Sequence, residues 1–581
     1  MKGIRSVIED RIVTAMVAVG ASKGTKAMVV PATRPEFGDY QANGIMPAAK
    51  KLGKNPREFA KAVIDCVELN DIADSVDIAG PGFINVRLRL EWLNQFVNNV
   101  LNDPRVGIQL SVNPSKVVID YSHPNLAKEM HVGHLRSTVI GDTLARILEF
   151  CGHDVIRHNH VGDWGTQFGM LIAYMDRVSA SGGDSASELE DLETFYQASR
   201  KLFDNDEDFA ATAREYVVKL QSGDSAVRAS WRRFVETSLE HCEQVYRTLD
   251  VTLKREDIHA ESAYNEDLPN IVEHLHKKGL LRESEGAQCV FLEEFKNKED
   301  KITPVIVQKS DGGYLYATTD LAALRYRAEV LKASRLLYIV DARQSLHLRQ
   351  VFAVSRKSGL VRDSCTLEHH PFGTMLGNDG KPFKTRSGGT IKLMELLHEA
   401  EERAFILIGE KNPDLTESER REISKVIGIG SVKYADLSLN RTTDYVFSWD
   451  KMLSLEGNTA PYLLYSYARI KSLFRRAEIT ENQLREIKGR VVLTDSSERD
   501  LVIKIVQLNE VVHSVARDCF PNILCNYLYE LSELFMRFYE RCPVLKADDQ
   551  MRVSRLKLCD LTGNVLKVGL GLLGIRTVNR M

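Results

Sequence analysis

The sequence predicts an α/β protein of three parts: a small N-terminal α+β domain, a central domain on a parallel sheet with a helical insertion, and a C-terminal α-helical bundle. Three observations carry that prediction. The chain has 581 residues, well beyond the length at which one hydrophobic core stops growing. Short apolar runs alternate with helical spacing from residue 116 onward, as in a sheet wrapped by helices on both faces. After Trp449 the strand signal ends and helical spacing runs almost unbroken.

Residues 1–112 make the first domain. Helical spacing opens it, Arg34-Pro35-Glu36-Phe37-Gly38-Asp39-Tyr40 interrupts, and helical spacing resumes from Gln41 to Leu69. After Gly80-Pro81-Gly82, Ile84, Val86 and Leu88 alternate with polar residues, as in a half-buried strand after a turn. Asp103-Pro104 through Asn113-Pro114 reads as a linker. The second domain spans 113–450, with a buried strand at 116–121, a helix from about His131 to Cys151, a strand at 154–159 and strands near 304–307 and 335–340. The polar, mostly helical stretch of about 176–300 is an insertion. The bundle occupies 451–581, where 20 Lys and Arg face 15 Asp and Glu.

Hydrophobic residues make up 44% and charged residues 27%, a globular profile rather than a disordered or fibrous one. The formal net charge of −3 hides the basic excess of the C-terminal third, so a polyanionic partner has to be sought locally. Nine cysteines are scattered singly with no C-x-x-C pair, which argues against disulfides and against structural zinc and suits a reducing, cytoplasmic setting. No apolar run is long enough to span a membrane. Glu9, Asp10 and Arg11 precede the first apolar stretch, against a signal peptide.

The strongest chemical signal is Pro124-Asn125-Leu126-Ala127-Lys128-Glu129-Met130-His131-Val132-Gly133-His134. It leaves the first buried strand and enters a helix, so His131 and His134 share one face of its first turn, where free N–H groups attract phosphate. Two imidazoles there can donate to phosphoryl oxygens, and Gly133 lets a flat ring approach the backbone. Far downstream, Gly377-Asn378-Asp379-Gly380-Lys381-Pro382-Phe383-Lys384-Thr385-Arg386-Ser387 is a Gly-rich cationic loop suited to triphosphate; a solvated basic turn is the plain alternative. Asp120 at the first strand end, Asp320, and Gln344 after a later strand sit where parallel-sheet folds bind ligands, and carboxylates accept a guanidinium fork in pairs. Asp320 could equally cap a helix.

At these motifs the chain resembles the class I aminoacyl-tRNA synthetases. His131-Val132-Gly133-His134 is similar to their His-Ile-Gly-His signature, and Ser122-His123-Pro124-Asn125-Leu126-Ala127-Lys128 with Leu135-Arg136-Ser137-Thr138 resembles the arginyl-tRNA synthetase family, a likeness that extends over essentially the whole chain. The resemblance implies a Rossmann-like catalytic domain, ATP with Mg2+, L-arginine and tRNA(Arg) as reactants, and arginine activation that needs tRNA. It implies that His131, Gly133, His134, Lys381, Lys384 and Ser387 bind ATP, with the two histidines and two lysines catalytic. The loop departs from Lys-Met-Ser-Lys-Ser: if Lys384 is the first lysine, Ser387 stands at the second, and Lys381 is expected to replace its charge. Ser122 and Asn125 would hold the α-amino and carboxylate groups, Tyr316 and Asp320 the guanidinium, with Asp120 and Gln344 alongside.

The Gly162-Asp163-Trp164-Gly165-Thr166-Gln167 block resembles another family motif. Packing and substrate contact are equally compatible with Trp164, and His160 and Gln167 are secondary candidates. Tyr462, Tyr465, Arg469 and Arg475 interleave aromatics with cations, fit for stacking on splayed bases; taken singly, such residues also suit an ordinary amphipathic bundle. The N-terminal domain resembles the family's tRNA-elbow module. A monomer is expected.

Overall fold

The computed structural model describes residues 3–181, 191–383 and 391–581. The N-terminal domain packs α1 (Ile4–Ala18), α2 (Ile45–Lys51) and α3 (Pro56–Cys66) on a four-stranded antiparallel sheet ordered β1-β2-β4-β3, with β1 Val29–Pro31, β2 Tyr40–Ala42, β3 Ala73–Ala79 and β4 Phe83–Leu88. Asn55 caps α3 ahead of Pro56 at its first position, a favourable start because Pro lacks only an N–H that would have no partner there. The helical spacing read from Gln41 is corrected at its start: Tyr40–Ala42 is a strand, paired with Asn85 and its neighbours. α4 (Leu90–Val100) leads out of this domain.

The central sheet is parallel, ordered β11-β10-β5-β6, from β5 (Lys116–Asp120), β6 (Asp154–His158), β10 (Arg335–Tyr338) and β11 (Thr366–His369). The chain runs from β5 through α5 (Leu135–Phe150) to β6 on one side, then returns to lay β10 and β11 on the other. A crevice therefore opens at the carboxyl ends of β5 and β10, where the strand order reverses. Helix α5 sits close to the sheet. A Cβ on Gly141 would lie 2.3 Å from Tyr121 Cγ, so only glycine lets the helix approach this closely.

α6 (Thr166–Ala180) leads into the insertion, whose described helices are α7 (Leu192–Asn205), α8 (Glu207–Ser222), α9 (Ser225–Leu249) and α10 (Leu268–Lys277). Two expectations are corrected here. The strand near 304–307 is β9 (Val305–Gln308), which does not join the parallel sheet. It forms an antiparallel meander with β7 (Leu281–Ser284) and β8 (Ala287–Val290), inside a stretch read as helical. α11 (Tyr316–Arg325) runs into a π-helical turn, Tyr326–Val330, and α12 (Ser345–Ser358) follows β10.

α13 (Leu393–Lys411), α14 (Glu417–Leu437) and the short α15 (Trp449–Met452) connect to the bundle of α16 (Ala460–Ala477), α17 (Glu481–Glu486), α18 (Ser496–Val506), α19 (Leu508–Asp518), α20 (Asn522–Arg541) and α21 (Asp549–Leu572). A two-stranded parallel ribbon pairs β12 (Met375–Leu376) with β13 (Tyr445–Val446) ahead of α15. Among the described residues no helix is long and apolar enough to cross a membrane, and all nine cysteines are free thiols.

Candidate active site

Between β5 and α5 the chain makes a 3-10 turn at Val132–His134, so the regular helix starts at Leu135, one turn later than expected. His131 Nδ1 accepts the Gly133 N–H at 3.0 Å, and His134 Nδ1 accepts the His131 N–H at 3.1 Å. The rings lie 4.1 Å apart. His131 Nδ1 accepts, so that neutral ring carries its proton on Nε2, and the His134 ring does the same as its Nδ1 takes the shorter of two backbone contacts, the His131 N–H rather than the His131 carbonyl at 3.3 Å. Burial pushes their pKa values down, to about 4 for His131 with help from Lys128 and to about 3 for His134 with help from His131. The turn thus presents two uncharged Nε2–H donors at neutral pH. Gly133 admits a flat ring, as expected, but that ring is the imidazole of His131: a Cβ would stand 2.6 Å from its Cε1.

The segment after the cationic loop is stitched to this turn. Val132 N–H donates to Ile391 O, Leu393 N–H donates to Met130 O, and Lys392 reaches Glu129 at 3.1 Å. On the near side, Gly377 N–H donates to Lys381 O at 2.8 Å, Gly380 turns at φ +70, and Lys381 N–H donates to Asp379. Lys381 is exposed on that turn. Lys384 and Ser387 lie outside the described residues.

Asp120 is 4% exposed, and its oxygens are already bound, by Arg327 at 2.7 Å and His123 Nε2 at 2.6 Å. Burial alone would raise its pKa, but Arg327 and then His123 reverse that and hold the carboxyl far below the ordinary range. The guanidinium on Asp120 is thus the chain's own, so Asp120 is not a free acceptor. Ser122 is corrected likewise. It is 2% exposed, with its hydroxyl 2.7 Å from Tyr246 OH and 3.0 Å from Thr138 Oγ1, so that hydroxyl is engaged by the chain itself. Asn125 is half-buried, its Oδ1 accepting the Ala127 N–H.

Tyr316 and Asp320 lie one turn apart on α11, as expected, with Tyr316 71% exposed. Asp320 caps nothing; its carboxylate meets His347 Nε2 at 2.6 Å, and that bond raises the His347 pKa. Gln344 is exposed in the turn after β10. Sequence reasoning missed Glu261. Burial first, then Asp163 and Asp320, pushes its pKa up to about 8, and Tyr316 lies within its field. No motif marks it: it opens a 3-10 turn, Glu261–Asp267, between the insertion helices α9 and α10. His160 stacks on Tyr264 with centroids 5.6 Å apart, and its Nδ1 has no hydrogen-bond partner. Trp164 packs edge-on against Trp231, whose Nε1 donates to Asp163 O.

In the bundle, Tyr465, Arg469, Arg475, Arg476, Tyr539 and Arg580 line a cavity of about 520 Å³. Arg469 donates to Tyr465 OH at 2.5 Å and lies over the rings of Tyr465 and Tyr539. Arg475 donates to Asn579 O near the chain end. Tyr462 is not part of this wall and packs on Tyr529.

A parallel-sheet crevice with two imidazole donors where its first strand turns into a helix, faced by a second stitched loop, defines a class I aminoacyl-tRNA synthetase catalytic domain. The family profile described as "tRNA synthetases class I (R), catalytic domain" matches residues 96–449, flanked by "Arginyl tRNA synthetase N terminal domain" over 3–88 and "DALR anticodon binding domain" over 463–581. Two curated relatives, both called arginine–tRNA ligase, are 56% identical (Hahella chejuensis) and 55% identical (Marinomonas sp.), each aligned over 100% of both chains. The crystal structure of arginyl-tRNA synthetase from Plasmodium falciparum is 30% identical and superposes with a TM-score of 0.87 over 100% of both chains. That from Thermus thermophilus, 24% identical, shares the fold with a TM-score of 0.85 over the same coverage. The chain belongs to the arginyl-tRNA synthetase family.

Proposed function

We propose that this enzyme is an arginine–tRNA ligase with its roles divided along the crevice. The arginine carboxylate attacks the α-phosphorus of ATP in line, forming arginyl-adenylate and pyrophosphate; a ribose hydroxyl of the terminal adenosine of tRNA(Arg) then displaces AMP. The carrying observation is the pair of neutral Nε2–H donors on the turn entering α5. They stabilise phosphate charge as it develops, and the rate comes from positioning and electrostatics. Mg2+ carried by the triphosphate would neutralise the leaving group. Lys381 is the charge on the described side of the second loop, with Lys384 and Ser387 beyond it.

At the other end, Glu261 and Asp320 accept the guanidinium and Tyr316 covers it, while Asn125 holds the α-amino or carboxylate group. Gln344 contributes polar contacts at the rim, and Asp120 anchors His123 and Arg327. Tyr465, Arg469 and Arg475 form a cationic, aromatic cavity for an anticodon base, with Tyr462 packed on Tyr529 outside its wall.

ATP–pyrophosphate exchange with tRNA present, run across the amino acids, tests the reading. Exchange should be stimulated by arginine alone, and an optimum on any neutral amino acid would reject it. A tRNA-binding protein without catalysis would show no exchange; His134→Ala should abolish exchange and retain tRNA affinity. Lys381→Ala should slow turnover by roughly 2–4 kcal/mol of transition-state stabilisation, the effect of losing one preorganised donor, with arginine KM little changed.

A further inference from the structure

Ser122 and His123 are consecutive non-glycine residues at positive φ, +80 and +50, on the loop that links the β5 end to Asn125. Such conformations are strained and persist only when their surroundings over-determine them. The surroundings here include a side chain 124 residues away. Tyr246, on the last turn of insertion helix α9, is 5% exposed and places its hydroxyl 2.7 Å from Ser122 Oγ. Asn159 Nδ2 donates to that hydroxyl at 3.0 Å, while Asn159 Oδ1 accepts the His123 N–H. Thr138 Oγ1 lies 3.0 Å from Ser122 Oγ and 2.7 Å from the His134 carbonyl.

Thr138 Oγ1 donates toward both Ser122 Oγ and the His134 carbonyl. Asn159 Nδ2 can only donate and the His134 carbonyl can only accept. The relay therefore links Asn159, Tyr246 and Ser122 to Thr138, and through Thr138 to the carbonyl of the signature histidine. The turn of α9 that holds Tyr246 is itself pinned, because Lys433 Nζ donates at 2.7 Å to both Leu249 O and Gly574 O.

We propose that Tyr246 is a positioning residue for adenylate formation: its hydroxyl closes a hydrogen-bond relay that fixes the strained Ser122-His123 pair and the His134 backbone together. This rests on the ligase reading above, which places the reactive carboxylate and phosphates against that loop. Tyr246 does not touch the guanidinium pocket, which is built from α11 and the Glu261 turn. Loosening the relay should therefore leave arginine affinity and degrade the reacting geometry, where small displacements are costly.

The test is tRNA-dependent exchange by Tyr246→Phe, normalised to active sites by adenylate titration, with thermal unfolding alongside. Turnover per titrated site should fall at least tenfold with arginine KM within twofold. Thr138→Val should repeat that split, and Thr138→Ser, which keeps the hydroxyl, should recover most of the turnover. If Tyr246→Phe does not fold, the Thr138 pair decides. Turnover per site within twofold of the unaltered chain, with only a lowered melting temperature, would overturn the relay and leave the ligase reading intact. Absence of arginine-stimulated exchange in the unaltered chain would overturn both.

Discussion

Glu261 illustrates how a single carboxyl can set the pH behaviour of a binding pocket. Its pKa of about 8 leaves it mostly protonated at neutral pH. A guanidinium favours the charged form, so arginine binding releases a proton below about pH 8, and affinity rises with pH up to that point. His347 acts with the same sign, because its proton, held by Asp320, competes with the substrate. The arginine KM is expected to fall between pH 6.5 and 8. Glu261→Gln should flatten most of that slope and raise KM at pH 8 tenfold or more, about 1.4 kcal/mol. Calorimetry in buffers of different ionisation enthalpy should show the proton release. His131 and His134 were legible because two histidines with fixed spacing follow a buried strand. Glu261, Arg327 and Tyr246 were not, since a buried polar residue in a segment without a motif looks like one on a solvated face. Asp120 was found for its position, yet nothing in its neighbours tells that Arg327 will occupy it.

At the scale of elements, α5 shows packing overriding propensity. Alanine at Gly141 would favour the helix by about 1 kcal/mol, but its Cβ would sit inside the Tyr121 ring contact. Overpacking of this kind costs about 1–3 kcal/mol, so Gly141→Ala is expected to lower the urea midpoint, whereas a gain would show that the helix can withdraw. The same tight seating aligns the His131 turn with the crevice. Helical spacing and buried strands were readable for β5, β6, β10 and α5. β9 was misassigned because an apolar run of four residues does not reveal whether its partners are parallel or antiparallel. β11 was not foreseen: three of its four residues, Thr-Leu-Glu-His, are polar, none is fully buried, and Glu368 is held by ion pairs with Arg335 of the neighbouring strand and with His370.

Those ion pairs belong to the assembly of the molecule. Arg335 binds Glu368 with two nitrogens at 2.6 and 2.9 Å and donates to Ala516 O and Arg517 O at the end of α19, while Arg441 donates to Cys519 O and Pro371 O. Glu368, His370 and Cys519 bring three donor atoms within 4.8 Å of one another, with Arg335 against Glu368 and Cys519 and Arg441 against His370. Arg335 and His370 hold Glu368 down to about 2 against its burial. The catalytic sheet is thereby bolted to the bundle. The N-terminal domain is fastened to the same bundle: Arg499 binds Asp39 with two nitrogens at 3.0 and 2.7 Å, and Tyr40 OH donates to Glu510 at 2.8 Å. Asp39 is 6% exposed, and stripping a buried charge of its partner costs about 3–5 kcal/mol. Arg499→Ala should release the N-terminal domain, seen as a separate low-temperature unfolding step and weaker tRNA binding, with Asp39→Asn in the same chain restoring part of the loss.

Because Asp39 and Arg499 are 460 positions apart, a ribosome adding about 5–20 residues per second delivers the arginine about 20–90 s after the aspartate. Throughout that interval the newborn N-terminal module must shelter an acid whose partner has not yet been made, so its final docking is a late event that waits for the bundle to be made.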